Sequence, residues 1–227
     1  MSAAYQGGSV NNRVANDTTD LYAPTDNWGG TPIATNDSVI VFGTWQDADA
    51  PLRAWDFGGL AMTELGHVKH STAEFYLGAA IVYGLASQSE AVVGMLLNTG
   101  LSNRSMVVMR YSGLRYSGTP FVEVKTGEST GSTSISAASA NPGGAGVIIA
   151  GFAALTTGET FTAGGSYTNR LTADQMTAAD YVTSGASTAS STGSGTSKKL
   201  AMALAFRDST AGAAAIYATG STQVLGV

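Results

Sequence analysis

The chain has 227 residues and a formal net charge of -5; 44% of its residues are hydrophobic, only 12% are charged, and none is cysteine. This length suffices to bury a core in one large β domain or two small ones, and the acidic balance lacks the basic footprint that a phosphate backbone requires. We therefore expect no nucleic-acid partner, and the missing thiols exclude disulfide bonds and thiolate-bound metals.

Neither secretion nor membrane insertion is indicated by the apolar segments. The first eight residues lack the basic and apolar regions of a secretory signal. The longest apolar run, 146–155, is too short for a bilayer and contains Gly151. The sequence therefore predicts a soluble protein with no membrane partner.

Residues 1–36 are polar, rich in Asn, Asp, Gly and Thr, and include Pro24 and Pro32. They show almost no hydrophobic period, which predicts an extended N-terminal arm rather than part of a core. Because such an arm has little apolar surface, we expect it to be mobile or bound to a partner. The folded domain is then predicted to span 37–227.

Short apolar runs rich in β-branched and aromatic residues follow, each bounded by Gly, Ser or Asn clusters. The first is 37–45, and 121–125 alternates as a half-exposed strand should. Further strands are predicted at 60–64, 75–83, 91–97, 105–111, 132–136, 146–154 and 198–207. Such spacing predicts an all-β fold, an antiparallel β-sandwich of jelly-roll-like type.

Two stretches leave alternatives open. Thr172 and Gln175 form a capping box, so 171–182 is either a short helix or an irregular segment. The Ser, Thr, Gly and Ala tract 183–197 has the composition of a flexible linker, yet a strand follows it at once, so it is also compatible with pairing in a sheet.

The two halves of the chain resemble each other. Val39-Ile-Val-Phe-Gly43 is echoed by Val147-Ile-Ile-Ala-Gly151, and the segments 55–63 and 71–76 are echoed at similar distances by 161–168 and 176–181. The echo predicts an internal duplication, near 37–115 and 116–227.

Candidate catalytic and metal-binding residues are few. Gly127-Glu-Ser129-Thr-Gly131 fits the nucleophile elbow of hydrolases, but that elbow needs a later histidine and a following helix, and the chain offers neither. Glu64, His67, His70 and Glu74 carry the side chains of a zinc or iron site, although the flanking residues favour a solvated turn between strands. Asp47, Asp49 and Asp56 supply oxygens for calcium but lack EF-hand spacing. We expect no catalytic residues, metal or cofactor.

Trp28, Trp45 and Trp55 lie near those aspartates in the sequence. Aromatic faces beside carboxylates hold sugars in many lectin-like sandwiches, whereas large aromatics in β proteins more often belong to the core. Trp45 and Trp55 are the candidate glycan-stacking residues.

The pattern over 37–210 resembles the β-sandwich structural proteins of tailed bacteriophages, such as decoration proteins and fibre or tail modules. The resemblance lies in apolar strands running into Tyr111-Ser-Gly-Leu114, in Gly143-Gly-Ala-Gly-Val-Ile-Ile-Ala150, and in a final Ala-Met-Ala-Leu-Ala-Phe-Arg207. It implies a non-enzymatic virion protein, oligomeric and located in the virion, that contacts copies of itself and other virion proteins. The alternative is a carbohydrate-binding module that recognises a glycan, such as one on a host surface, through Trp45 or Trp55.

Overall fold

Strands account for the regular structure throughout the part of the chain that the computed structural model describes, namely residues 2–13, 20–24, 33–46, 54–83, 85, 92–96, 102–114 and 121–209. Within those ranges there is no α-helix, and hence none long and apolar enough to cross a membrane. The strands are β1 Ala4–Arg13, β2 Leu21–Pro24, β3 Ser38–Gln46, β4 Ala54–Phe57, β5 Leu60–Ala61, β6 Thr63–Lys69, β7 Phe75–Val82, β8 Val92–Leu96, β9 Ser102–Ser112, β10 Phe121–Ser129, β11 Ser134–Ser136, β12 Gly146–Ala154, β13 Phe161–Ala163, β14 Thr168–Ala173, β15 Met176–Thr183, β16 Ser190–Gly193 and β17 Lys199–Arg207.

These strands form four antiparallel sheets. The first inner sheet has the order β1-β9-β3-β7-β6, and the second inner sheet has the order β10-β17-β12-β15-β14. The first outer sheet has the order β2-β8-β4-β5, and the second outer sheet has the order β11-β16-β13. The predicted all-β, antiparallel sandwich class is confirmed.

The sheets pack in four layers. One hydrophobic cluster joins the two inner sheets, a second joins the first inner and first outer sheets, and a third joins the second inner and second outer sheets. Both inner sheets are therefore covered on both faces. This arrangement explains why β3 and β12 read as continuous apolar runs, since every residue along them is buried.

Strand β17 shows how the sequence specifies the layers. Its large residues Leu200, Met202, Leu204 and Phe206 face the first inner sheet, whereas Ala201, Ala203 and Ala205 face the second outer sheet. Because side chains alternate across a strand, large and small residues go to opposite faces. The alanine face of β17 leaves room for the larger Ile148, Phe152 and Phe161 of the same cluster.

The predicted N-terminal arm is wrong for the described residues within 1–36. Ala4–Arg13 forms the edge strand β1 and pairs with β9 from Ala4↔Ser112 to Arg13↔Arg104, and Leu21–Pro24 pairs with β8. The backbone amide of Ala3 donates a buried hydrogen bond of 2.8 Å to Asp208. The polar character of β1 is that of an edge strand, so the predicted domain start at residue 37 is also wrong.

The helix considered for 171–182 is absent, because β14 and β15 form an antiparallel hairpin there. Met176 and Ala178 face the core between the inner sheets, and Gln175 is fully buried and donates to the carbonyl of Asn103 at 2.8 Å. Met176 and Ala178 lie two residues apart on the same face, which is the period of a strand. Burial against the rest of the fold therefore outweighs the local preference of the capping box for a helix. In the neighbouring tract 183–197, residues 190–193 form β16, so the second interpretation of that tract is correct.

A buried polar bridge crosses between the inner sheets. Tyr111 of β9 donates to Asp180 of β15 at 2.6 Å, and Arg170 of β14 donates to the same carboxylate at 2.8 Å. The Arg170 guanidinium lies 4.9 Å from the centre of the Tyr5 ring on β1. Burial, reinforced by the Asp180 charge, raises the pKa of Tyr111 well above its ordinary value. The phenol therefore stays a donor, and the bridge holds the two halves of the chain together.

Candidate functional site

The second outer sheet carries a groove of about 360 Å³. Its floor is formed by the paired strands β11 and β16, in which Ser134 faces Thr192 and Ser136 faces Ser190. Ile135 lies between the two serines of β11 and is buried, because alternate residues of a strand point to opposite faces. The residues around this hydroxyl groove are Glu128, Ser129, Ser134, Ile135, Ser136, Gly164, Ser190, Ser191 and Thr192.

Glu128 is the one charged residue around the groove. Its carboxylate accepts hydrogen bonds from the hydroxyl of Ser71 at 2.7 Å and from the backbone amide of Ser71 at 2.9 Å. These bonds, the hydroxyl first, hold the pKa of Glu128 below its ordinary value. The groove therefore offers a fixed anionic acceptor beside an array of hydroxyls, and none of the described residues that line it is cationic.

The hydrolase-like segment 127–131 lies at the end of β10, beside this groove. The structure brings His70 to it, but the imidazole Nε2 meets the backbone carbonyl of Ser129 at 3.1 Å, while Nδ1 accepts from the Thr72 amide at 3.2 Å. The Ser129 hydroxyl instead accepts from the Ser132 amide at 3.3 Å. Because the base does not reach the hydroxyl, this arrangement does not activate a nucleophile.

The four residues considered for a metal site point in different directions. His67 pairs with Glu64 at 2.6 Å, whereas Glu74 accepts from Lys69 at 2.8 Å and from Tyr76 at 2.8 Å. His70 is fully buried and bound as described above. Within the described ranges, no three His, Cys, Asp or Glu side chains gather as a metal site would require.

The aspartates considered for calcium are only partly described. The Asp56 carboxylate accepts from the Gly59 amide at 3.1 Å, which is the local turn expected of an Asx side chain. Asp47 and Asp49 lie outside the described residues.

The two candidate stacking tryptophans belong to the core, which corrects the prediction of a glycan platform. Trp45 and Trp55 are 2% and 3% exposed, and both lie in the cluster between the first inner and first outer sheets. Trp45 stacks on Tyr76 with ring centroids 5.3 Å apart, and glycines at positions 43 and 78 leave room for the two indoles. A buried indole face cannot receive a sugar. Trp28 lies outside the described residues.

A buried ion pair near the groove has no motif in the sequence that indicates it. The Lys199 ammonium lies 2.6 Å from the Glu159 carboxylate, and both side chains are almost fully buried. The ammonium also donates to the backbone carbonyls of Ser132, Gly195 and Ser197 at 2.8–2.9 Å. The glycine-rich segment before Lys199 thus surrounds a cation with carbonyl oxygens, which is opposite in sign to an anion-binding loop.

Burial disfavours ionisation of Glu159, but hydrogen bonds from Lys199 and Ser197 outweigh it and hold the pKa of this carboxyl below its ordinary value. The pair anchors the loops that follow β10, β12 and β16. It is fully occupied by internal partners, so we assign it to stability.

Comparison of the chain with models of protein families, with curated proteins and with solved structures finds no match.

Proposed function

We propose that this protein is a non-enzymatic structural component of a bacteriophage virion, such as a capsid decoration protein or a head or tail fibre module. It packs there against other virion proteins and copies of itself. The observation that supports this proposal best is the strand connectivity, which alternates between facing sheets in both halves of the chain.

The alternation of strands between facing sheets supports a jelly-roll-like fold as part of this proposal. In the first half, the inner sheet contains β1, β3, β6, β7 and β9, and the outer sheet contains β2, β4, β5 and β8. The chain therefore crosses from one sheet to the other after β1, β2, β3, β5, β7 and β8. The second half repeats this alternation from β10 to β17. Jelly rolls of two facing sheets recur in viral capsid proteins and in lectins.

The surface chemistry favours packing against neighbours. Ser134, Ser136, Ser190 and Thr192 form a pleated surface of short hydroxyl side chains. Such side chains lose little rotamer entropy on contact, so ordering them in an interface costs less than ordering Lys or Glu. The hydroxyl groove is therefore the surface we assign to a neighbouring subunit.

The test is stoichiometric presence in purified particles. We expect this chain in native virions at a fixed copy number that survives washing at high salt. Recovery only as an unassembled protein from infected cells would contradict the proposal.

A pair of variants tests the assigned surface. We expect Ser136→Lys to abolish incorporation into particles while leaving the melting temperature unchanged, because a long cation would stand in the middle of the packing surface. Thr157→Lys, an exposed loop position before β13, is the matched control and should incorporate normally. Equal incorporation of both variants would remove the groove from the assembly surface.

A second candidate function is glycan binding, and the groove favours it over the buried tryptophans. Vicinal hydroxyls of a neutral sugar could donate to Glu128 and exchange hydrogen bonds with Ser134 and Ser190. Glycan-array binding that is lost in Glu128→Gln and retained in Glu74→Gln would support this function, and an array without hits would remove it.

A further inference from the structure

The two inner sheets match strand for strand, and the register shifts in their edge strands match as well, although the first sheet has one further shift between Thr44 and Gln46. The edge strand β1 has a register shift between Tyr5 and Gly7, and β10 has one between Phe121 and Glu123. At the opposite edges, β6 shifts between Glu64 and Gly66, and β14 shifts between Asn169 and Leu171. Aligned bulges define which residues of the two halves are equivalent.

Two separate paths across the sheets give the same equivalence. In the first inner sheet, starting at the edge strand β6, Gly66 pairs with Ala79, which pairs with Phe42. In the second inner sheet, starting at the edge strand β14, Leu171 pairs with Ala178, which pairs with Gly151. Phe42 and Gly151 are therefore equivalent by this path, so the echo in the sequence, which aligned Gly43 with Gly151, is out of register by one residue.

In the first inner sheet, starting at the opposite edge strand β1, Tyr5 pairs with Tyr111, which pairs with Ser38. In the second inner sheet, starting at the edge strand β10, Phe121 pairs with Phe206, which pairs with Val147. Ser38 and Val147 are thus equivalent, and four residues further along each strand lie Phe42 and Gly151 again. The aromatic pairs agree as well, with ring centroids 5.8 Å apart for Tyr5 and Tyr111 and 5.6 Å apart for Phe121 and Phe206.

Phe42 and Gly151 also touch each other across the layer between the inner sheets. A Cβ placed on Gly151 would lie 2.7 Å from Cδ1 and 2.9 Å from Cγ of the Phe42 ring. In a two-fold arrangement, equivalent residues meet only at the axis. The contact therefore places a two-fold pseudosymmetry axis between the two residues.

Two flanking contacts obey the same symmetry. Gly8 and Val124 are equivalent, and so are Gly66 and Leu171, by the registers given above. A Cβ on Gly8 would overlap Cδ1 of Leu171, and a Cβ on Gly66 would lie 3.8 Å from Cγ1 of Val124. Each contact sets a glycine of the first half against a larger residue of the second half, and the axis maps one contact onto the other.

We propose that the chain is a fused pseudo-dimer whose internal interface has residues of different size at equivalent positions of the two halves. Each half therefore fits the other half and not a copy of itself. Pairing of two first halves would set Phe42 against Phe42. Pairing of two second halves would set Gly151 against Gly151 and crowd Leu171 against Val124. Mismatches of this kind disfavour the pairing of like halves, whether within one chain or between neighbouring chains.

The test is an exchange of the axial pair in the full-length chain. Phe42→Gly leaves a void and Gly151→Phe creates a clash, so each should lower the melting temperature. The double variant restores one large and one small residue at the axis. We expect it to recover more than half of the summed decrease in melting temperature of the two single variants. A double variant whose melting temperature falls by the full sum of the two decreases would overturn the proposal.

A matched control exists one residue further along the same strands. Gly43 and Phe152 are equivalent by the same register, but they face different outer sheets, in separate hydrophobic clusters. When the residues of this pair are exchanged, the decreases in melting temperature of the two single variants should simply add in the double variant, because the two residues share no contact. Recovery in the control as large as at the axis would contradict the axial assignment.

Milder variants cover the case in which Gly151→Phe does not fold. Gly151→Ala should lower the melting temperature beside Phe42 but leave it unchanged in a Phe42→Ala background, where the ring is gone. An equal effect of Gly151→Ala in both backgrounds would overturn the proposal.

Discussion

At the scale of single residues, the buried Lys199 illustrates how charge is tolerated in so apolar a chain. Its ammonium meets one carboxylate and three backbone carbonyls, so all of its donors are used. A buried charge with a full set of partners is tolerated, whereas removal of one partner leaves the others desolvated and unpaired.

We expect Lys199→Met to lower the free energy of unfolding by about 3–5 kcal/mol, because it leaves Glu159 buried without a counter-ion. Lys198→Met is the matched control. Within the described part of the chain, the Lys198 ammonium makes one hydrogen bond, to the Thr72 carbonyl, and the loss of this bond should cost less than about 1 kcal/mol. Urea denaturation of the two variants measures the difference, and equal losses would contradict the assigned role.

The same pair predicts a dependence of stability on acid pH. The folded-state pKa of Glu159 lies below its ordinary value, so its contribution is present above the unfolded pKa of about 4.3 and is lost as the pH falls through the folded value. We expect Glu159→Gln to be less stable than the parent at pH 7 and to show a smaller further loss toward pH 3. Parallel pH profiles of parent and variant would refute this.

At the scale of strands and sheets, the sequence predicts the strands whose β-branched and aromatic residues form unbroken runs, such as β3 and β12. It misses β1 because an edge strand, which pairs with a neighbour on one side only, tolerates polar residues and shows no apolar run. It misses the β14–β15 hairpin because Thr172 and Gln175 imitate a helix start, whereas Gln175 is in fact buried against the carbonyl of Asn103. Local signals fail where a partner distant in the sequence decides the structure.

The candidate site shows the same limit. Sequence proximity gathers Trp45 and Trp55 near aspartates, but the strand register sends both indoles into the core. The hydroxyl groove combines residues of β10, β11 and β16, and no motif in the sequence connects the distant segments 128–136 and 190–192. Only the pairing of Ser134 with Thr192 and of Ser136 with Ser190 brings these hydroxyls together.

The position of β1 gives a direct prediction about the N-terminus. We expect deletion of residues 2–13 to cause loss of cooperative folding, because it uncovers the backbone edge of β9 and the ring of Tyr111. Val10→Thr should leave stability nearly unchanged, since that side chain is 37% exposed. Circular dichroism and thermal melting check both, and a deletion variant as stable as the parent would restore the idea of a dispensable arm.

At the scale of the whole molecule, the two halves share one core cluster and several polar bridges. Besides the contact of Tyr111 with Asp180, Gln46 donates to the Leu155 carbonyl at 2.6 Å and Gln175 to the Asn103 carbonyl at 2.8 Å. Each half has its own cluster between its inner and outer sheets, but the shared cluster covers the other face of both inner sheets.

We expect one cooperative unfolding transition rather than two. Differential scanning calorimetry should give a calorimetric enthalpy equal to the van't Hoff enthalpy, as two-state unfolding requires. Two resolved transitions would show that each half is stable without the other.

The hydrogen bond from Ala3 to Asp208 joins positions separated by 205 residues, and β1 pairs with β9 about a hundred residues later. During synthesis on the ribosome, β1 therefore waits for β9, and the contact of Ala3 with Asp208 forms only after the whole span between them has been made. Topologies dominated by such distant pairing fold slowly and leave strand edges uncovered in the meantime. Production of this protein should therefore respond more strongly to slower translation and to chaperone supply than its melting temperature alone would indicate.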